Sequence, residues 1–232
     1  MLVERALQLD PKCSAAKDEF GATALHLAAR YGHVDVVESL AIRHNTIINA
    51  TDQEYRTAAH VAAQGGHMGV LASLARHLAN FNKPDSNDRV PLGILVGNGS
   101  VSAKSAQKLV AAGAVVDRVD RNGRSGLHNA VATAAETRAA QVQMWIKLGA
   151  NVDKQVVDSS RATPLYIAAT EISDEEECLT VVRLLLEGGA HPNKPGNREG
   201  QTVLQALLDP EMGCEAIPAA HECFRAGADY RK

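Results

Sequence analysis

Thr23-Ala24-Leu25-His26-Leu27-Ala28-Ala29 returns as Thr57-Ala58-Ala59-His60-Val61-Ala62-Ala63. Looser copies follow at Val90-Pro91-Leu92-Gly93, Ser125-Gly126-Leu127-His128, Thr163-Pro164-Leu165-Tyr166 and Thr202-Val203-Leu204-Gln205. Their starts are spaced by 34, 33, 35, 38 and 39 residues. A period in this range signals an array of supersecondary units, none of which can bury its apolar face alone.

A second landmark falls between these anchors. Leu109-Val110-Ala111-Ala112-Gly113-Ala114, Trp145-Ile146-Lys147-Leu148-Gly149-Ala150, Leu184-Leu185-Leu186-Glu187-Gly188-Gly189-Ala190 and Cys223-Phe224-Arg225-Ala226-Gly227-Ala228 are helical apolar stripes that close on glycine. Glycine there supplies a left-handed helix stop. Turn and extended formers come next, as in Val115-Val116-Asp117, Asn151-Val152-Asp153 and His191-Pro192-Asn193. Each unit reads as short helix, turn, second helix, glycine stop and a hairpin-like loop.

These residues resemble the ankyrin repeat, whose pattern joins T-P-L-H-x-A-A, G-H-x-x-V-V and L-L-x-x-G-A-D-x-N within about 33 residues. The first unit matches almost throughout, with Asp18, Gly21, Thr23 to Ala29 and Gly32-His33-Val34-Asp35-Val36-Val37. The fold expected from the resemblance is an all-α repeat solenoid of helix-turn-helix units joined by β-hairpin-like loops. Repeats are placed at 18–51, 52–84, 85–119, 120–157, 158–196 and 197–232. Residues 1–17 read as a partial repeat or N-terminal cap, because Leu2-Val3-Glu4-Arg5-Ala6-Leu7 and Leu9-Asp10-Pro11 resemble a second helix and its exit. A chain that begins mid-unit is expected to be a fragment of something longer or to carry a degenerate cap.

Composition fits such stacking. Among 232 residues, alanine occurs 38 times while Phe, Trp and Tyr together number 8. Ala28-Ala29, Ala62-Ala63 and Ala168-Ala169 are expected where a first helix meets its neighbour, since a methyl side chain lets axes approach closely. Few rings make base-stacking platforms improbable, and a net charge of −3 offers no field for nucleic acid or an anionic membrane. Apolar runs are too short to span a bilayer, and Met1-Leu2-Val3-Glu4-Arg5 does not begin as a signal peptide does. The cysteines, Cys13, Cys178, Cys214 and Cys223, are widely spaced without zinc-like partners. The chain is expected to be an intracellular, cytoplasmic monomer with no cofactor or metal.

No phosphate-binding glycine loop, H-E-x-x-H or G-x-S-x-G is present, so the protein is not expected to be an enzyme. The resemblance gives His26, His60 and His128 a packing role, bonding the backbone of adjoining turns, and extends this to His33 and His67. Trp145, Phe224, Cys178 and Cys223 fall on second-helix stripes and are expected in the core. Repeat three lacks the histidine, and its first helix is read as Ile94-Leu95-Val96-Gly97-Asn98-Gly99-Ser100. The extra length of repeats four and five is expected between their helices, at 132–138 and 171–177, with Ser173 and Glu176 forming a capping box and Asp174 to Glu177 in the first helical turn.

Functionally, the resemblance implies a protein-binding module, whose hairpin tips and first helices form a concave surface for another protein or a peptide. The family's variable contact positions fall here on Glu19, Phe20, Ala22, Arg30 and Tyr31, then on Gln53, Glu54, Arg56 and Gln64. They continue at Ser86, Asn87, Arg89, Asn98, Arg121, Asn122, Arg124, Thr133, Ser159, Ser160, Ala162, Thr170, Glu171, Arg198, Glu199 and Gln201. Phe20, Tyr31 and Tyr55 lie outside the apolar stripe and are expected to expose rings near Arg30 and Arg56. Replacing Phe20, Tyr31 and Arg56 by alanine is expected to weaken partner capture while sparing the melting point. The competing class is the substrate-recruiting arm of a larger enzyme, or of a translocated bacterial effector, with catalysis outside this chain. A structural spacer is the third.

Overall fold

The computed structural model describes residues 15–43, 47–99, 102–133, 135–157, 160–209 and 217–229. The segment 2–7 read as a second helix, together with Cys13, Ser159 and Cys214, lies outside them. The described residues form twelve helices. In a first compact unit, Met1–Val115, they pair as α1 (Ala24–Arg30) with α2 (Val34–Arg43), α3 (Ala58–Gln64) with α4 (Met68–Arg76), and α5 (Pro91–Gly97) with α6 (Ala103–Ala111). In a second, Val116–Lys232, α7 (Gly126–Val131) pairs with α8 (Ala135–Lys147), α9 (Pro164–Glu171) with α10 (Glu175–Glu187), and α11 (Val203–Leu207) with α12 (Ile217–Arg225).

Within each unit the first helices pack in one layer, α1 on α3 on α5 and α7 on α9 on α11; the second helices form the other. This is an all-α repeat solenoid. Its connecting loops are hairpin-like, with a single isolated bridge, Val119 to Ser125, among the described residues. The alanines do what their size predicts: Ala28, Ala29, Ala62, Ala63, Ala168 and Ala169 are all buried. Glycine stops are left-handed at Gly113, Gly149, Gly189 and Gly227, with φ of 95°, 84°, 94° and 91°.

The recurring histidine is a clamp. Nδ1 of His26 accepts the backbone N–H of Thr23 at 3.1 Å and lies 2.9 Å from its hydroxyl, so the ring proton sits on Nε2. That N–H donates to the carbonyl of Arg56 in the next repeat at 2.9 Å. His60 reaches the Arg89 carbonyl at 3.1 Å and His128 the Ala162 carbonyl at 3.2 Å in the same way. Burial holds all three imidazoles below their ordinary pKa. His67 adds a bond from Nε2 to the Arg30 carbonyl at 2.9 Å, whereas His33 is exposed with its ring beside Tyr31.

Two large side chains fit because a neighbour is small. Trp145 is buried, and a Cβ added to Gly126 would fall 2.2 Å from its ring. Tyr166 takes the histidine position of repeat five, and a Cβ on Gly196 would fall 2.1 Å from it. Its hydroxyl donates to Gln201 Oε1 at 2.8 Å and accepts from Asn197 Nδ2 at 3.0 Å. Cys178 and Cys223 are buried as small hydrophobes, and burial together with the neighbouring Cys178 pushes the Cys223 thiol up to about 12.

Four expectations need correction. The first helix of repeat three begins at Pro91, not Ile94, because proline's fixed φ suits the first helical position after Val90. The extra length of repeats four and five does not lengthen the turns: α8 and α10 have 13 residues each, against 9 or 10 in the other second helices. This added helix brings Arg138 of α8 to Glu177 of α10, Nη1 to Oε2 at 2.7 Å with both side chains mostly buried. The cap of α10 is Asp174, whose carboxylate accepts the N–H of Glu177 at 2.8 Å, not Ser173. Finally, Phe224 is 67 % exposed rather than in the core. In α12 the inward positions are Ala219, Ala220 and Cys223, and one step of 100° carries the next side chain off that face.

Candidate functional site

Five hairpin tips among the described residues are each built by one polar residue. Oδ1 of Asp18 accepts the N–H groups of Phe20 at 2.9 Å and Ala22 at 2.8 Å. Asp52, Asp85, Asp120 and Asn197 hold the next tips alike, each accepting from the residues two and four places on. The chain then turns through a left-handed residue, for which glycine is favoured. Gly21, Gly123 and Gly200 occupy that place with φ of 75°, 70° and 82°, but Tyr55, Asp88 and Arg161 occupy it at 59°, 62° and 53°. Neighbouring tips are tied by backbone bonds, from Gln53 N–H to the Phe20 carbonyl at 3.1 Å and from Ser86 N–H to the Glu54 carbonyl at 2.8 Å. In the second unit Val157 N–H donates to the Gly123 carbonyl at 3.1 Å.

On this frame the three rings of the first unit are all uncovered: Phe20 at 64 %, Tyr31 at 66 % and Tyr55 at 63 % exposure. The structure does not gather them into one cluster. Phe20 and Tyr55 stand on adjoining tips, while Tyr31 caps the far end of α1, about 10 Å of helix away. Arg30 is exposed at the Tyr31 end. Leu27, 41 % exposed, lies between, in a shallow groove with Ala22, Arg30, Arg56, Val61 and Gln64. Leu27 escaped the sequence reading because it sits inside a motif otherwise made of core residues. The signal was there, since burying 25, 26, 28 and 29 turns 27 and 30 outward on a helix.

Several predicted contacts are engaged within the protein. Arg56 lies on Asp52 (Nε to Oδ2, 2.8 Å) and near Glu54 (3.3 Å), and Arg89 lies on Asp85 at 2.9 Å. Because the Asp52 side chain is almost wholly buried, Arg56→Ala would strand its charge, so that replacement is not neutral for stability. Gln53 donates its amide to the Glu19 carbonyl at 2.9 Å. In the second unit Arg121 and Asn122 are exposed, and Arg124 approaches Glu171 at the end of α9 at 3.7 Å. Gln201 is taken up by Tyr166. Among the described residues no group of three or more His, Cys, Asp or Glu could hold a metal ion, and no helix is long and apolar enough to cross a membrane.

Comparisons with known proteins agree with this geometry. A family model for ankyrin repeats in three copies matches residues 2–85, and a single ankyrin-repeat model matches residues 160–197. Human Rabankyrin-5 is 32 % identical over 176 residues, and mouse Rabankyrin-5 is 32 % identical over 175. Each alignment takes in 75 % of this chain but 14 % of the relative, so the chain spans a small part of the curated proteins it matches. The ankyrin repeat domain of Bcl-3, described as a unique member of the IkappaB protein family, aligns with a TM-score of 0.76 and 25 % identity over 97 % of this chain and 90 % of that one. An ankyrin repeat domain from Acinetobacter baumannii AYE (TM-score 0.70, 24 % identity, 91 % of this chain and 100 % of that one) shares the fold. So does that of human ASB11 (0.62, 22 %, 91 % and 86 %). Ankyrin repeats are a general protein–protein interaction module. With family models matching just over half of its residues, and the threonine–histidine clamps that those motifs encode in place, the chain belongs to the ankyrin-repeat family.

Proposed function

We propose that this protein binds a partner protein or peptide on the face made by its hairpin tips and first helices, and so works as an adaptor, scaffold or inhibitor rather than an enzyme. The observation that carries the reading is the uncovered apolar surface of the first unit. Phe20, Leu27, Tyr31 and Tyr55 all lie on tips or at the first-helix layer, on elements whose other faces are already packed. Two uncovered rings on adjoining tips, with half-exposed Leu27 in the groove beside them, support an interaction surface there. Since Rabankyrin-5 is much longer than the matched segment, the same face also suits recruitment of a client to a neighbouring domain.

The test is site-directed photo-crosslinking from Leu27 and Tyr31, with Ile42 on the second-helix layer as the control. Crosslinks to one partner from the first two positions and none from Ile42 support the reading. Crosslinks from Ile42 alone would overturn it.

A further inference from the structure

Resting on that reading, we infer that the tips of the first two repeats seat a lysine- or arginine-bearing segment of the partner. The cation would lie against the Phe20 and Tyr55 rings and within reach of the Glu19 carboxylate, sharing Glu54 with Arg56.

Geometry places these groups together. The bond from Gln53 N–H to the Phe20 carbonyl sets the two tips side by side, and both rings face solvent. Tyr55 is held at φ 59°, where the equivalent residues of the first, fourth and sixth tips are glycine. A bulky residue in that region is strained, and an exposed ring gains little packing to offset the strain. Asp88 and Arg161 take the same place with short or flexible polar side chains, so what sets Tyr55 apart is a strained residue that also presents a ring to solvent.

Charge selects the occupant. The first unit's tips carry Asp18, Glu19, Asp52, Glu54, Asp85 and Asp88 against Arg56 and Arg89, and still keep an acidic excess when the flanking Lys17 and Lys83, held on the Thr51 and Asn49 carbonyls, are counted. Those arginines are spent on Asp52, Glu54 and Asp85, while Glu19 makes no ion pair among the described residues. A ring face beside carboxylates attracts an ammonium or guanidinium through its quadrupole as well as by charge. The second unit's described tips carry Arg121, Arg124, Arg161 and Arg198 against Asp120 and Glu199, so even with Arg124 drawn to Glu171 they lack the acidic excess of the first unit.

The experiment is selection of random octapeptides on the intact 232-residue chain, with the enriched peptides then measured by fluorescence anisotropy. Peptides enriched in Arg or Lys are expected, bound at least tenfold more weakly by Tyr55→Gly and by Phe20→Ala, severalfold more weakly by Glu19→Gln with Glu54→Gln, and more weakly as salt rises. Tyr55→Gly removes ring and strain together, so its melting point should equal or exceed that of the wild type, and lost binding cannot be put down to unfolding. The inference is overturned if the enriched peptides lack basic residues, if none is enriched, or if Tyr55→Gly binds them unchanged. Peptides that depend on Leu27 but not Tyr55 would overturn it while leaving the broader recognition face standing.

Discussion

Gly126→Ala should destabilise this protein even though the position opens a helix, where exchanging glycine for alanine ordinarily helps. A glycine inside a helix costs about 1 kcal/mol relative to alanine, so local propensity alone predicts a gain at the start of α7. The structure predicts the reverse. The new methyl would sit 2.2, 2.5 and 2.6 Å from Cζ2, Cη2 and Cε2 of Trp145. Carbon atoms settle at about 3.5–4.0 Å, and relief requires moving a rigid, buried indole. Overpacking of this kind costs about 1–3 kcal/mol, a fall in melting point of roughly 2–12 °C for a chain of this size. Trp145 is the only tryptophan, so its fluorescence during urea unfolding reports on the affected contact itself. The double-mutant cycle with Trp145→Leu, followed by circular dichroism, isolates the cause: once the indole is gone, Gly126→Ala should be neutral or favourable, giving a coupling of about 1–3 kcal/mol. A single variant that melts at or above the wild type, or a coupling below about 0.5 kcal/mol, would refute the account.

Stability should fall with pH from near 6.5, the free imidazole value. His26, His60 and His128 are held below it when folded, so the unfolded chain takes up protons first. Each can contribute a slope of up to about 1.4 kcal/mol per pH unit until its folded value is passed. His60→Gln should flatten that slope, because Gln205 already caps Thr202 in repeat six (Oε1 accepting its N–H at 2.9 Å) and cannot titrate; an unchanged slope would contradict the clamp. Ala28→Leu should overpack the α1–α3 contact at a cost of roughly 1–3 kcal/mol, and an unaltered melt would show that the layers are not in close register. Cys223 should resist iodoacetamide in the native protein and react on denaturation, as peptide mass spectrometry can show, since a thiol held at about 12 presents almost no thiolate at neutral pH.

Much of this could be read in advance because repeats state the same packing problem several times. The threonine and histidine three residues apart, the paired alanines and the glycine stops recur, and each is a local rule satisfied within a few residues or by the adjoining copy. What was misread depended on neighbours not close in sequence. Extra residues in repeats four and five looked like turn insertions, but they lengthen the second helices, on which Arg138 and Glu177 pair across adjoining repeats. Phe224 belonged to an apolar stripe by type, yet Cys223 holds the inward position. Leu27 sat in a core motif and faces out.

The candidate site divides along the same line. Sequence alone located the tips and first helices, because turn chemistry and helical period are local, and the family resemblance put the expected contact positions on them. Only tertiary structure decided which of them are available. Arg56 and Arg89 fold back onto buried aspartates, and Gln201 is taken up by Tyr166 from the repeat before it. Phe20 and Tyr55 stand on adjoining tips while Tyr31 is carried to the other end of α1. Availability is a matter of distance between residues some thirty-five positions apart, which stacking fixes and a linear pattern does not contain.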